Sequence, residues 1–266
     1  MDVEALLTWY ERVRRPLPWR ATRDPYTLLV SEVMLQQTQA LRVVPYYERW
    51  LARFPDAAAL AGSPARDALA AWSGLGYNRR ALALWRAARV VVEHGWPEDL
   101  TELPGVGPYT AAAVGSFAFG RDVAAVDTNV RRVLSRRDGV AYRPAALARR
   151  ARELLPHGRA AAFNQAMMEL GATVCRPRAP RCGECPIAPG CTTAAAGPRL
   201  APRPRTDLRG RPRFEETDRW ARGRILAALL AGEEPPVSGE RRERALAGLA
   251  RDGLVVLDPD GRVRLP

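Results

Sequence analysis

The chain has 266 residues, with 41 basic side chains against 29 acidic ones and a formal charge of +12. Every basic residue is arginine. Without lysine, no side-chain amine can form a Schiff base with a sugar aldehyde or pyridoxal phosphate, and no phosphate-binding loop can carry its usual lysine. The length predicts one or two domains with a real hydrophobic core. The acid-bearing start MDVEALLTWYERVRR lacks the basic n-region of a secretory signal, and no apolar run reaches membrane-spanning length. The sequence therefore reads as a soluble, cytoplasmic, monomeric protein with no membrane partner. The excess of base over acid calls for a polyanionic partner, nucleic acid first, with a merely solvated basic surface as the plain alternative.

From Asp2 to about residue 175 the pattern is helical throughout. Ala, Leu and Arg recur with short breaks at Pro and Gly, and strand-like alternation is nearly absent. The segment DPYTLLVSEVMLQQTQA predicts a largely apolar, buried helix that carries Glu32 on the same face as Leu28, Leu29, Leu35 and Gln36. Burial raises the pKa of a carboxyl and leaves it protonated near neutral pH, as a general acid requires. The plainer reading is a buried glutamate tied to backbone or arginine.

Further along, LPGVGPYTAAAVGSF begins at Leu103. Gly105 and Gly107 permit tight backbone geometry, and Pro108 suits the first turn of the helix that follows. Free N–H groups at such a helix start can bind a DNA phosphate, which marks Leu103, Gly105, Val106 and Gly107 as candidate phosphate contacts. Asp127 in AVDTNVRRVLSR stands where a helix begins, and N-capping alone accounts for an aspartate there. Two carboxylates flanking a glycosidic bond have a further use: one protonates the leaving group, and the other stabilises or attacks the oxocarbenium-like sugar.

All four cysteines fall in one window, Cys175, Cys182, Cys185 and Cys191, spaced C-x6-C-x2-C-x5-C. Structural disulfides do not suit a cytosolic chain, and four thiolates this close can wrap one soft metal centre, with zinc the generic occupant. Between 176 and 213 nine arginines face two acids, and APRPRTDLRGRPR within this stretch is proline-rich and without helical period. Residues 198–213 read as an extended linker that serves as a flexible spacer, a DNA-tracking segment, or both. After it, 215–231 predicts an amphipathic helix, GERRERALAGLARDG a second ending at Gly253, and LVVLDPDGRVRLP a hairpin around Asp-Pro-Asp-Gly. Residues 214–266 thus predict a small winged-helix-like module, appended to a helical domain over 1–197.

Seven segments together carry a resemblance: LPWR at 17–20, SEVMLQQTQ at 31–39, GLGY at 74–77, LPGVGPYT at 103–110, VDTNV at 126–130, FNQAMMELG at 163–171, and the cysteine loop at 175–191. Over residues 8–197 the chain resembles the adenine DNA glycosylases of the MutY family, within the endonuclease III superfamily of helix–hairpin–helix glycosylases. The resemblance implies an all-α fold of two subdomains around a DNA-binding cleft, and a [4Fe–4S] cluster rather than zinc on the four cysteines. The implied partner is double-stranded DNA with a mismatched or damaged base pair, whose target nucleotide is flipped out of the duplex. In a bacterial-like cell such an enzyme works at the nucleoid.

The resemblance also implies roles. Glu32 protonates adenine at N7, Asp127 stabilises the sugar cation and can bond to it, and Tyr109 and Asn129 orient this chemistry. Arg15, Leu17, Trp19, Arg20, Gln165 and Met168 line the adenine pocket. Gln37 and Tyr77 enter the helix to hold the gap. Strand-cleaving relatives carry a lysine where this chain has Tyr109, so hydrolysis should end at base removal, with no β-lyase step. The substrate implied is adenine opposite 8-oxoguanine or guanine. Excision of hypoxanthine or mismatched thymine by the same scaffold, or a non-catalytic DNA-binding iron–sulfur protein, are the alternatives. The chain departs from the pattern at Thr128, where Gly is usual, at Asn78 and at Ala40. Its C-terminal segment is too short for the usual nucleotide-hydrolase-like domain, which leaves the preference for the opposite base open.

Overall fold

The computed structural model describes residues 1–197, 212–258, 260 and 262–266, so the predicted linker lies almost wholly outside the described residues. In chain order the α-helices are α1 (Val3–Val13), α2 (Pro25–Leu35), α3 (Ala40–Arg53), α4 (Ala57–Ala61), α5 (Ala65–Ala71), α6 (Arg79–His94), α7 (Pro108–Phe117), α8 (Thr128–Asp138), α9 (Pro144–Glu153), α10 (Ala160–Thr173), α11 (Thr192–Ala195), α12 (Asp218–Ala231) and α13 (Gly239–Arg251). The described strands are β1 (Val256–Leu257) and β2 (Val263–Arg264), paired antiparallel with Val256 opposite Arg264. The fold is all-α, as the helical pattern predicts, and none of the described helices is long and apolar enough to cross a membrane. The chain divides into two compact units, one of Met1–Glu32 with the described part of Val106–Pro204, the other of Val33–Gly105 with the described part of Arg205–Pro266.

In the first unit α10 is the central helix, packed by α1, α7 and α8. Leu6, Leu134, Phe163, Met167 and Leu170 are fully buried in its main core. Burying each such side chain contributes about 1.5–3 kcal/mol. Asp2 starts α1 by accepting a hydrogen bond from the Ala5 N–H at 2.9 Å. Gly171 of α10 permits a close approach: a Cβ there would lie 2.5 Å from the Cβ of Asn129, at the start of α8. Buried Asn164 secures the irregular segment that leads to Asp127. Its amide oxygen accepts from the Ala125 N–H at 3.1 Å, and its amide nitrogen donates to the Val123 carbonyl at 2.9 Å and to Ser116 Oγ at 3.0 Å. A buried polar group so fully paired specifies one arrangement of the backbone around it.

In the second unit α6 is flanked by α4 and α5. Trp50 packs edge-on against Phe54 and Trp72, with ring centres 5.0 and 5.5 Å apart. The C-terminal elements belong to this unit. A short 3-10 turn, Phe214–Glu216, precedes α12, because Thr217 caps the helix by accepting from the Trp220 N–H at 3.3 Å. Helices α12 and α13 pack together through Ile225, Leu226, Leu246 and Leu249, and Asp252 just beyond α13 pairs with Arg222 of α12.

Replacing Asn164 by Ala removes three hydrogen bonds and leaves the buried Ala125 N–H and Ser116 hydroxyl without theirs. The expected cost is about 2–4 kcal/mol. Urea unfolding of Asn164→Ala at constant m-value measures it, and a loss below ~1 kcal/mol contradicts this reading of the core.

Candidate active site

Glu32 lies near the end of α2 and is 4% exposed. One carboxyl oxygen, Oε2, has no hydrogen-bond partner. The Tyr109 hydroxyl, from the first turn of α7, donates to the carboxyl. Burial drives the Glu32 pKa up to about 7. The Tyr109 hydrogen bond opposes the shift, and the negative charge of Asp127 adds to it. Burial also pushes the Tyr109 phenol well above its ordinary range, with Glu32 and Asp127 pushing the same way, so Tyr109 remains a donor. Its hydroxyl also lies 3.8 Å from Met168 Sδ. Glu32 and Tyr109 thus act on each other, and Asp127, from a third stretch of chain, acts on both.

Asp127 is the N-cap of α8. Its Oδ1 accepts from the Val130 N–H at 2.7 Å, and its Oδ2 accepts from Asn129 Nδ2 at 2.6 Å. Capping and a place beside Glu32 coexist in one carboxylate. Asn129 Oδ1 in turn accepts from Arg132 Nη2 at 2.8 Å. The same guanidinium donates to the Gly171 carbonyl at 2.6 Å and, through Nε, to the Cys175 carbonyl at 2.7 Å.

Arg15, Arg20, Gln165 and Met168 gather along α10, and Leu17 and Trp19 are buried in the short turn that carries Arg20. Arg15 and Arg20 both bind the fully buried Glu169, Arg15 through Nε at 2.7 Å and Nη2 at 2.9 Å, Arg20 through Nη2 at 2.6 Å. Burial alone would raise the Glu169 pKa, but the two guanidiniums outweigh it and hold the carboxylate below its ordinary value. Gln165 Oε1 accepts from the Tyr10 hydroxyl at 2.5 Å.

Leu103 and Val106 are buried, while Gly105 and Gly107 are exposed. Gly105 has φ +79°, and a Cβ there would lie 2.5 Å from the Ala83 Cβ, so glycine is required twice over. Gly107 is the N-cap of α7, Pro108 its first residue, and no side chain caps this helix start. Gln37 and Tyr77 both stand at positive φ, +58° and +51°, an unfavourable conformation for a residue with a Cβ. Both are exposed.

The four cysteines line one pocket together with Arg136, Val174 and Pro180. Helix α8 holds this loop with arginines. Arg136 donates to the Arg176 and Pro177 carbonyls at 2.7 and 2.9 Å and approaches Cys175 Sγ at 3.5 Å, and Arg137 donates to the Gly190 carbonyl at 3.1 Å. Burial raises the Cys182 and Cys185 thiols. Neighbouring cysteines add to the rise in both. Among the described residues no three or more His, Cys, Asp or Glu side chains are grouped so that they could hold a single metal ion.

Residues 30–157 match the HhH-GPD superfamily of base excision DNA repair proteins. The adenine DNA glycosylase of Mycobacterium tuberculosis strain H37Rv is 44% identical over 284 aligned positions, which cover 98% of this chain and 92% of that one. The chain belongs to the adenine DNA glycosylase family. The Homo sapiens adenine DNA glycosylase is 41% identical over 208 positions, 70% of this chain and 38% of its own length. A solved structure described as a thermostable thymine-DNA glycosylase superposes with a TM-score of 0.68 at 34% identity, covering 73% of this chain and 95% of that one. A trapped endonuclease III–DNA complex, 22% identical with a TM-score of 0.63 over 73% of this chain and 94% of its own, shares the fold.

Two polar residues of this family member escape a sequence reading. Glu169 is an acid in the apolar helix AAAFNQAMMELGAT, the same signal that singles out Glu32. Arg132 is three residues beyond Asn129 on α8, one helical turn away, but nothing in the sequence foretells its contacts with Gly171 and Cys175.

The raised pKa of Glu32 ties stability to pH. Its folded value of about 7 exceeds its unfolded value near 4.5, so its favourable contribution is complete below pH 4.5 and is lost as pH rises through 7. Wild type should therefore lose about 2–3 kcal/mol relative to Glu32→Gln between pH 5 and pH 8. Parallel denaturant titrations at the two pH values measure this. A difference that does not change with pH rules out a buried, protonatable Glu32.

Proposed function

We propose that the protein hydrolyses the N-glycosidic bond of adenine mispaired with 8-oxoguanine or guanine in double-stranded DNA. The observation that carries this reading is the buried Glu32 carboxyl, protonatable near pH 7, bonded to Tyr109 and within electrostatic reach of the capping Asp127. The target nucleotide swings out of the duplex, because its glycosidic bond cannot be reached in the stack. Protonated Glu32 gives its proton to adenine N7, which turns the base into a leaving group. Asp127, aligned by Asn129 and the Val130 N–H, faces the developing sugar cation or bonds to it. Tyr109 steadies the Glu32 carboxyl while its own proton is retained. Water then completes hydrolysis at the sugar carbon.

Arg15 and Arg20, with charge balanced by Glu169, give the adenine pocket fixed donors, beside Leu17, Trp19, Gln165 and Met168. Leu103, Gly105, Val106 and Gly107 present backbone to a phosphate. Gln37 and Tyr77 fill the gap left by the flipped base; their backbone strain accords with that use. The enzyme is monofunctional: no lysine exists to form a Schiff base with the opened sugar.

Cys175, Cys182, Cys185 and Cys191 fit a [4Fe–4S] cluster: they supply four soft donors around one pocket, with Arg136 beside Cys175 to offset the negative charge of the ligated centre. Bound there, the cluster supplies a rigid core for the arginine-bearing loop. Arg176, Arg178 and Arg181 of that loop meet the phosphate backbone. Purified protein should contain four irons and four acid-labile sulfides per chain. Zinc in their place contradicts the assignment.

Duplexes carrying adenine opposite 8-oxoguanine, adenine opposite guanine, hypoxanthine opposite thymine and thymine opposite guanine separate the substrates. Alkali cleavage after single-turnover reaction should reveal release of adenine from the first two. Release of thymine alone would point to the activity named for the 34% identical structural neighbour. Glu32→Gln and Asp127→Asn should each slow excision by at least about 100-fold. The wild-type rate should fall about tenfold per pH unit above pH 7, because the protonated carboxyl is the active form and it is lost there. Borohydride should trap no covalent product, and a trapped adduct would overturn the monofunctional reading.

A further inference from the structure

The C-terminal segment takes no part in the proposed chemistry, yet it grips the loop that bears Tyr77. This loop, Gly74–Asn78, leads into α6, and Tyr77 stands in it at φ +51° with 43% of its surface exposed. Three side chains hold the loop backbone: Arg42 Nη2 donates to the Gly74 carbonyl at 2.7 Å, and Trp72 Nε1 and Arg80 Nη2 donate to the Gly76 carbonyl at 3.0 and 3.1 Å. Arg80 also lies 5.5 Å from the centre of the Tyr77 ring. A further contact comes from α12. The Arg219 guanidinium is 4.3 Å from the centre of the Tyr77 ring, and its Nη2 is 4.0 Å from where a Gly76 Cβ would be. Asp252 secures the same segment two residues beyond Tyr77, pairing with Arg79 at 3.5 Å while it holds Arg222 of α12. Among the described residues Arg219 has no carboxylate within ion-pair distance, so its charge is spent on the ring.

An exposed aromatic side chain that must enter a base stack loses rotamer freedom when it does so, and fixing it beforehand removes that cost from binding. A guanidinium on the ring face supplies such a restraint. We propose that the C-terminal segment is a clamp on the Gly74–Asn78 loop and that Arg219 is a positioning residue, presetting Tyr77 for entry into the mismatched duplex. This rests on the reading of Tyr77 as the inserted side chain.

The test is a double-mutant cycle on Arg219 and Tyr77 in the full chain. The probe is a duplex with 8-oxoguanine opposite a fluorinated, uncleavable adenosine, with 2-aminopurine beside the mismatch to report unstacking. Arg219→Ala should weaken binding about three- to ten-fold and reduce the 2-aminopurine signal at sub-saturating protein, while the single-turnover rate at saturation on cleavable DNA stays within about two-fold. In a Tyr77→Ala background the same change should alter affinity by less than about two-fold. Arg219→Met keeps the aliphatic stem packed and should behave as Arg219→Ala, with thermal melting unchanged; Arg219→Lys should recover only part of the loss. An equal loss with and without Tyr77 overturns the clamp, since Arg219 would then act on DNA by itself. So does an unchanged affinity in Arg219→Ala while Tyr77→Ala is impaired. If Tyr77→Ala alone leaves both affinity and 2-aminopurine signal intact, the inserted-residue reading fails first and the clamp falls with it.

Discussion

The first unit is organised by one carboxylate with two obligations. Asp127 must cap α8, because the N–H groups of the first helical turn have no partners of their own, and its Oδ1 meets that need at Val130. Its other oxygen is held by Asn129. The helix that Asp127 starts is itself fixed by its arginines, which run from Asn129 and Gly171 to the cysteine loop. A shift of the loop or of α10 would therefore be felt at the cap. Gly171 and Asn164, both on α10, set the distance and direction from which the cap is approached.

Glu32 depends on this arrangement through electrostatics. Burial alone makes a carboxyl hard to ionise, and the neighbouring Asp127 makes it harder. Burial thereby drives Glu32 toward its protonated form, while the two carboxyls sit in different surroundings. Asp127 receives hydrogen bonds suited to a negative charge, whereas Glu32 has one oxygen without a partner and a tyrosine donor on its carboxyl. That asymmetry is what a proton donor and a cation stabiliser need in order to work at the same pH. In the proposed reaction no change of fold is required between the two roles.

Charge is managed differently in the two regions where arginine is dense. At α10, Arg15 and Arg20 are balanced by one buried glutamate, which turns two mobile side chains into fixed ones. Around the cysteine loop, Arg132, Arg136 and Arg137 spend most of their hydrogen bonds on backbone carbonyls instead. A guanidinium has five donors in a rigid plane and can staple several carbonyls at once, which an ammonium does less well. The absence of lysine thus bears on architecture as well as on chemistry.

Helices, the capping role of Asp127, the two glycines before α7 and the clustering of cysteines were legible from local pattern, because each depends on residues within a turn or two. The absence of lysine by itself excluded Schiff-base chemistry, since no arrangement can supply a group the chain lacks. The sequence pattern places the start of α12 at residue 215, a few residues early, because the cap at Thr217 sets the first helical turn after the 3-10 turn at Phe214–Glu216. What the tertiary structure alone decided is which distant residues share a dielectric and a hydrogen bond. Glu32 meets Tyr109 across 77 positions of sequence, Arg15 meets Glu169 across 154, and Arg132 meets Cys175 across 43. Those pairings follow from helix packing around α10, and the pKa of Glu32 is a property of that packing rather than of its neighbours in the chain.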